Sequence, residues 1–226
     1  MTNIVARIGS SIASFDGSIV NAPREPYSEL STHYWPFDGS TGDYSILGDK
    51  PFDKYFGVSD VSYGIGKIGE AAYFNGTCNY KSDINIATGD EWSISFWFND
   101  ASILAGNVFE STASILEQMH IEINTASQLR VVRWQSGDTD YLYTTTIPEG
   151  WNHIVYTYDG SISNVYLNND HVLVDGPTSV YESAGGGIVF GGSNDPWTGY
   201  IDMARYYDYP ITTDMVNGLW NNGNGI

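Results

Sequence analysis

Two residue patterns in this chain are candidates for a chemical role. The first is GIGKIGEAAYFNGT, residues 64–77, which opens with G-x-G-x-x-G, the spacing that cradles a dinucleotide pyrophosphate. The second is a set of rings beside amides and carboxylates: Trp197 with Asn194 and Asp195 in SNDPWTG, and Trp134 with Tyr141 and Tyr143 in RWQSGDTDYLY. Exposed rings stack on sugar faces, and amides or carboxylates beside them orient hydroxyls. Both sets also have a plainer reading. Trp134 fits a core, and Trp197 fits the edge of a sheet.

The glycine run fails its own test. A phosphate loop follows a buried strand and feeds a helix whose amide N–H groups face the anion. Residues 57–63, GVSDVSY, are too polar for such a strand, and Asn75-Gly76 ends the downstream run after five residues. The glycines lead into one short strand and a turn. They are expected to supply positive φ where the chain turns into that strand. No G-x-S-x-G elbow for a serine nucleophile occurs either.

The residues that remain need a β framework to hold them. WSISFWF (residues 92–98) alternates with Trp92, Ile94, Phe96 and Phe98 on one face and Ser93, Ser95 and Trp97 on the other. NHIVYTYDG (152–160) sets Ile154, Tyr156 and Tyr158 against His153, Val155 and Thr157. NVYLNND (164–170) reads as a strand running into a turn, and GYIDMARYYDY (199–209) puts Ile201 and Met203 opposite Asp202 and Ala204. Period two with regular turns predicts an all-β sandwich or jelly roll. One helix is expected in TTDMVNGLWNNG, capped by Thr212 or Thr213, buried through Met215, Leu219 and Trp220, and stopped at Gly223. Residues 1–30 are Ser-rich and carry PREP, and they read as an arm or adaptor segment before a domain spanning 31–226.

Bulk properties narrow the partners. Nine basic residues against 27 acidic ones give a net charge of −18 in 226 residues. That field repels nucleic acid and anionic membrane surfaces; it suits solubility, a bound cation or neutral sugars. The single cysteine, Cys78, excludes an internal disulfide and a zinc–cysteine cluster. No signal peptide or eighteen-residue apolar run is present, so synthesis in a cytoplasm and no membrane insertion are expected.

The order of six motifs is similar to that of a known family. HYWPFDG (33–39), GKIGEAAYFNG (66–76), SISFWF (93–98), W-x-H-x-V followed by Tyr-Asp-Gly (151–160), YLNN (166–169) and G-Y-I-D-x-x-R-x-Y (199–207) together resemble the laminin-G-like branch of the concanavalin A-like lectin/glucanase superfamily. The resemblance implies a two-sheet antiparallel jelly roll with one concave face, and a packing role for His153. It also implies, in some relatives, a structural calcium ion where the first strand meets the last; the matching positions are Asp38 and Asp202. Asp38 also fits a simple turn residue, and Arg205 is an alternative partner for Asp202. The superfamily's glucanases carry E-x-D-x-E on one strand, so that three carboxylates share a face. This chain has no such run; the nearest imitation is His120 and Glu122 in H-I-E. The loop over 38–63 is longer than is usual in the family, and the arm has no counterpart there.

The expectation is a non-catalytic recognition or adhesion module that binds a glycan or a protein surface. Its arm would contact a structural partner subunit and mount it on a virus or phage particle. A purely structural decoration or fibre protein is the alternative, and a glycoside hydrolase the third reading.

Overall fold

Register, more than residue type, decides which side chains of this chain meet. The computed structural model describes residues 6–8, 11–13, 19–20, 31–45, 48–57, 59–86, 91–100, 105–114, 117–135, 138–175, 186–192 and 195–226. In chain order the strands are β1 (Ala6–Ile8), β2 (Ser11–Ala13), β3 (Ile19–Val20), β4 (His33–Trp35), β5 (Asp53–Gly57), β6 (Ser62–Ile65), β7 (Glu70–Asn75), β8 (Cys78–Ile86) and β9 (Trp92–Asp100). They continue as β10 (Gly106–Ser114), β11 (Glu117–Ile123), β12 (Gln128–Gln135), β13 (Asp138–Thr146), β14 (Trp151–Tyr158), β15 (Ser163–Leu167), β16 (Asp170–Asp175), β17 (Gly186–Phe190) and β18 (Thr198–Tyr207). One helix, α1 (Thr213–Trp220), comes after them.

The strands pair antiparallel into two large sheets, a jelly-roll-like sandwich. One sheet has seven strands in the order β13-β12-β11-β10-β17-β8-β5. The other has eight, in the order β16-β15-β14-β9-β18-β7-β6, with β4 pairing β18 beside that path. Strands β1, β2 and β3 form a three-stranded sheet of their own. The loop expected over 38–63 contains β5 and the start of β6.

The core lies between the two sheets, where the predicted alternation delivers it. Ile94, Phe96 and Phe98 of β9 and Ile154 and Tyr156 of β14 face Phe109, Ile121, Val131 and Phe190 of the opposite sheet. The Phe96 ring lies 6.0 Å from that of Phe109 and 5.1 Å from that of Phe190, so it bolts the layers together. A β-bulge between Asn107 and Phe109 turns both Val108 and Phe109 inward.

Strand β18 departs from simple alternation. Its register against β9 slips between Asp202 and Arg205, and Met203 takes φ 52°. Ile201 and Ala204 therefore both reach the core, where alternation had set Ala204 opposite Ile201. On its other edge β18 pairs β7 up to Ile201 and then β4 from Ala204, so the bulge is where it changes partner.

Helix α1 covers the outward face of the eight-stranded sheet. The Thr212 hydroxyl caps it by accepting from the Met215 N–H at 3.3 Å. Its buried residues are Val216 and Leu219; Met215 is half-buried, and Trp220 stacks on Trp97 with ring centroids 5.2 Å apart. That stack explains why Trp97, on the polar face of its strand, is only 1% exposed. The helix ends at Asn221, in the left-handed region, two residues before the expected glycine.

Phe96→Ala should remove the ring that joins the layers and destabilise the fold by about 3–5 kcal/mol. Urea unfolding followed by tryptophan fluorescence measures it; a loss below about 1 kcal/mol would mean that the two layers do not close on this ring.

Candidate functional site

The turn joining β6 to β7 gathers both ends of the sandwich domain. The Gly66 N–H donates to the Gly69 carbonyl at 2.9 Å, which closes the turn. Asp38 reaches it from the segment after β4, and its Oδ1 accepts from the Glu70 N–H at 2.7 Å. Asp202 reaches it from β18, and its Oδ2 accepts from the Ile68 N–H at 3.0 Å. Asp38 and Asp202 are thus neighbours, as the resemblance implied.

Gly64, Gly66 and Gly69 are there to admit these groups. Of the three only Gly69 has positive φ, at 65°, and a Cβ on it would collide with Asp38 Oδ1. A Cβ on Gly66 would stand 2.5 Å from the Glu70 carbonyl oxygen and 2.8 Å from Asp202 Oδ2. On Gly64 it would stand 2.9 Å from the ring of Tyr200. The positive-φ expectation holds at Gly69; at the other two positions close approach sets the residue type.

The Asp202 carboxyl is buried at 0% exposure and its Oδ1 has no partner. Burial pushes its pKa up to about 7, with the negative charge of Asp38 adding to the push and the amides of Ile68, Lys67 and Met203 resisting it. Arg205, the alternative partner, instead donates from Nη1 to the Met203 carbonyl at 3.2 Å and from Nη2 to the Ile226 carbonyl at 2.5 Å. Beside Asp202, the Lys67 ammonium lies 4.4 Å from the centre of the Trp97 ring, and burial pulls its pKa down.

His153 is sealed beneath α1. Its Nε2 bonds the Ser95 hydroxyl at 2.8 Å, while Nδ1 is buried without a partner. Burial, with the positive charges of Arg205 and Lys67, depresses its pKa to about 3, so it is a neutral packing residue.

The proposed stacking rings do not behave as a set. Trp197 is 0% exposed, and its indole N–H donates to Asp100 Oδ1 at 2.8 Å. It is a core residue, which corrects the expectation of an exposed platform: a Cβ on Gly199 would collide with its ring, so only glycine leaves room for the indole beneath the strand. Asp195 is exposed, and its carbonyl accepts from the Asn107 N–H at 2.9 Å. Asn194 and the side chains of Trp134, Tyr141 and Tyr143 lie outside the described residues. On the backbone, Tyr143 pairs Val131 and Tyr141 pairs Val132, with a register shift between the two.

His120 and Glu122 do share a face, the outward one of the seven-stranded sheet, because Met119, Ile121 and Ile123 between them fill the core. Glu122 is ion-paired with Arg130. Opposite His120 in register is Glu110, buried at 0% exposure, whose Oε1 accepts from Asn107 Nδ2 at 2.9 Å. Burial lowers the pKa of His120 and raises that of Glu122.

Sequence reading missed the pair formed by His33 and Asp43, which only the folded loop brings together. His33 Nδ1 lies 2.6 Å from Asp43 Oδ2, and Asp49 Oδ1 is 4.0 Å away. Burial raises the Asp43 pKa, but the His33 bond and the amides of Ser45 and Tyr34 outweigh it and bring it to about 2. With its carboxylate saturated by these partners, the pair anchors the 43–50 loop.

The fold is that of a two-sheet lectin-type sandwich. The chain belongs to the concanavalin A-like lectin/glucanases superfamily, whose laminin-G-type family model matches residues 73–217. No curated protein matches it. Among solved structures, domain 4 of AbnA, an extracellular GH43 arabinanase from Geobacillus stearothermophilus in complex with arabinotriose, is 20% identical. Its TM-score is 0.70, and the match covers 82% of this chain and 96% of that one. The binding domain of Paraclostridial Mosquitocidal Protein 1 is 13% identical with a TM-score of 0.65, over 87% of this chain and 53% of that one. The binding domain of botulinum neurotoxin serotype G is 13% identical with a TM-score of 0.64, over 85% and 51%. The chain spans about half the length of these toxin binding domains. Among the described residues, no helix is long and apolar enough to cross a membrane.

His153 and Asp202 make opposite demands on pH. A histidine depressed from 6.5 to about 3 stabilises the fold above pH 6.5, and that contribution is lost as pH falls towards 3. A carboxyl raised from 3.8 to about 7 stabilises the fold below pH 3.8, and that contribution is lost as pH rises towards 7. In chelator, melting of Asp202→Asn should therefore fall more steeply than wild type between pH 7 and 4. The melting temperature of His153→Gln should fall less steeply than that of wild type over that range; parallel curves for all three proteins would refute both assignments.

Proposed function

We propose that the chain is a non-catalytic recognition module that binds a glycan or a protein surface. The observation that carries this reading is the state of the carboxylates on the outward face of the seven-stranded sheet. Hydrolysis of a glycosidic bond needs two carboxyl groups flanking one bond, one to donate a proton and one to attack or activate water. Here Glu110 accepts from Asn107 and Glu122 is paired with Arg130, so both are committed to structure. The sandwich also resembles two toxin binding domains and a domain of an arabinanase solved in complex with arabinotriose, which supports recognition over catalysis.

In the same reading Asp38 and Asp202 hold one structural calcium ion. Calcium takes six to eight hard oxygens, and the buried Asp202 Oδ1 without a partner, beside a second carboxylate, fits such an ion. The ion would neutralise both carboxylates and tie the segment after β4 to β18. Residues 1–30 would mount the module on a virus or phage particle through a partner subunit; the separate β1-β2-β3 sheet supports an independent role for this segment.

Three measurements test these readings. A glycan array combined with an assay for new reducing ends should give binding without hydrolysis. Hydrolysis that disappears in Glu122→Gln would make the protein an enzyme, and silence across the array would favour a scaffold. Millimolar calcium should raise the melting temperature of wild type but not of Asp202→Asn; no shift, with no metal by elemental analysis, would remove the ion. Deleting residues 1–30 should leave a folded monomer, and normal assembly of the truncated chain would refute the mounting role.

A further inference from the structure

One row of paired residues crosses five strands on the outward face of the eight-stranded sheet, beyond the part that α1 covers. Ser62 of β6 pairs Tyr73 of β7, Tyr73 pairs Tyr200 of β18, Tyr200 pairs Asn99 of β9, and Asn99 pairs Trp151 of β14. Paired residues share a face, and their neighbours Ala72, Phe74, Ile201, Phe98 and Ile154 fill the core. The row therefore points out of the sandwich. Tyr73, Tyr200, Asn99 and Trp151 are each half-buried, with rooted bases and reachable surfaces.

The row has a built geometry. The Tyr73 and Tyr200 rings are 4.8 Å apart, and those of Tyr200 and Trp151 are 6.4 Å apart. Gly64 gives Tyr200 its seat: the hydroxyl end of the ring packs against that bare backbone, where a Cβ would stand 2.9 Å from the ring and 3.2 Å from the hydroxyl oxygen. The turn that leads into Trp151 is held by Asn152, whose Nδ2 donates to the Pro148 and Gly150 carbonyls at 2.9 and 3.0 Å. From Tyr73 to Trp151 is three strand spacings, roughly 14 Å. At the Trp151 end a hollow of about 520 Å³ opens, lined by Asn99, Asp100, Pro148, Glu149 and Gly150 among others.

We propose that this row is a binding site for a neutral oligosaccharide, with successive sugar rings lying along Tyr73, Tyr200 and Trp151 and the reach of the chain ending in the hollow. The proposal rests on the recognition-module reading and assigns it a face. Aromatic rings lying along a rigid sheet offer apolar area to the C–H faces of sugars at little entropic cost, and the Asn99 amide between them supplies a donor and an acceptor for hydroxyls. The Asp100 and Glu149 carboxylates at the hollow, within a chain of net charge −18, select against sulfated or uronic sugars.

The test is titration calorimetry with arabinotriose, xylotriose, cellotriose and maltotriose, against wild type, Trp151→Ala, Tyr200→Leu and Tyr55→Ala. Tyr55 is exposed on the other sheet and serves as the control. At least one sugar should bind wild type and Tyr55→Ala alike, and the two row variants should each weaken it by about tenfold or more, at unchanged pH and calcium. Hydrogen exchange of the wild-type protein should show slowing at 71–75, 148–152 and 198–201 on binding, which keeps the test independent of how the variants fold. If wild type binds but the row variants match it and these segments are not protected, the placement is wrong while the recognition reading stands. If no sugar binds wild type and a protein ligand does, the proposal falls and the protein-surface form of the reading survives.

Discussion

The bend in strand β18 governs how this molecule closes. The strand lies between β9 on one edge and β7 then β4 on the other, and it changes partner at one residue, Met203, held at φ 52°. A non-glycine residue in that region costs on the order of 1–2 kcal/mol. Neighbouring contacts hold it there: Ala204, Arg205 and Tyr206 pair with β4 on one side, and Arg205, Tyr206 and Tyr207 pair with β9 on the other. The kink directs Asp202 towards the 66–69 turn while Ile201 and Ala204 stay in the core. The early and late parts of the domain meet at that turn because β18 bends there.

The same turn shows how one short motif serves two ends of the molecule. Gly66 and Gly69 leave room for the Asp202 and Asp38 carboxylates, and Gly64 leaves room for the Tyr200 ring. What looks like a phosphate-binding signature is a set of close approaches made by side chains from more than a hundred residues away, together with one from nearby. The buried, incompletely partnered Asp202 is the chemically unsatisfied end of this arrangement, and Tyr200 is its outward end.

Much of the fold was legible along the chain. The alternation in β9 and β14 fixed the inward faces, and the six-motif order pointed to the superfamily. Legibility ended where alternation did. The bulge at Met203 turns Ala204 to the side opposite the one that alternation set, and nothing in the local residue types marks it. Trp197, read as an exposed ring in a polar loop, is swallowed because Gly199 leaves room for its indole. The row from Tyr73 to Trp151 could not be read at all, since its members come from four distant strands and only the register aligns them. His33 and Asp43 were hidden for a similar reason, as a loop of irregular backbone brings them together.

In the proposed role this sandwich presents a surface to its ligand and leaves the ligand chemically unchanged. A crystal structure of the protein grown with a saturating neutral trisaccharide puts that to the test. It should show an intact trisaccharide lying against Tyr200 and Trp151, with Asn99 bonded to its hydroxyls. Cleaved sugar beside Glu110 and Glu122 would contradict it, and an intact one bound only to the seven-stranded sheet would overturn its placement on the row.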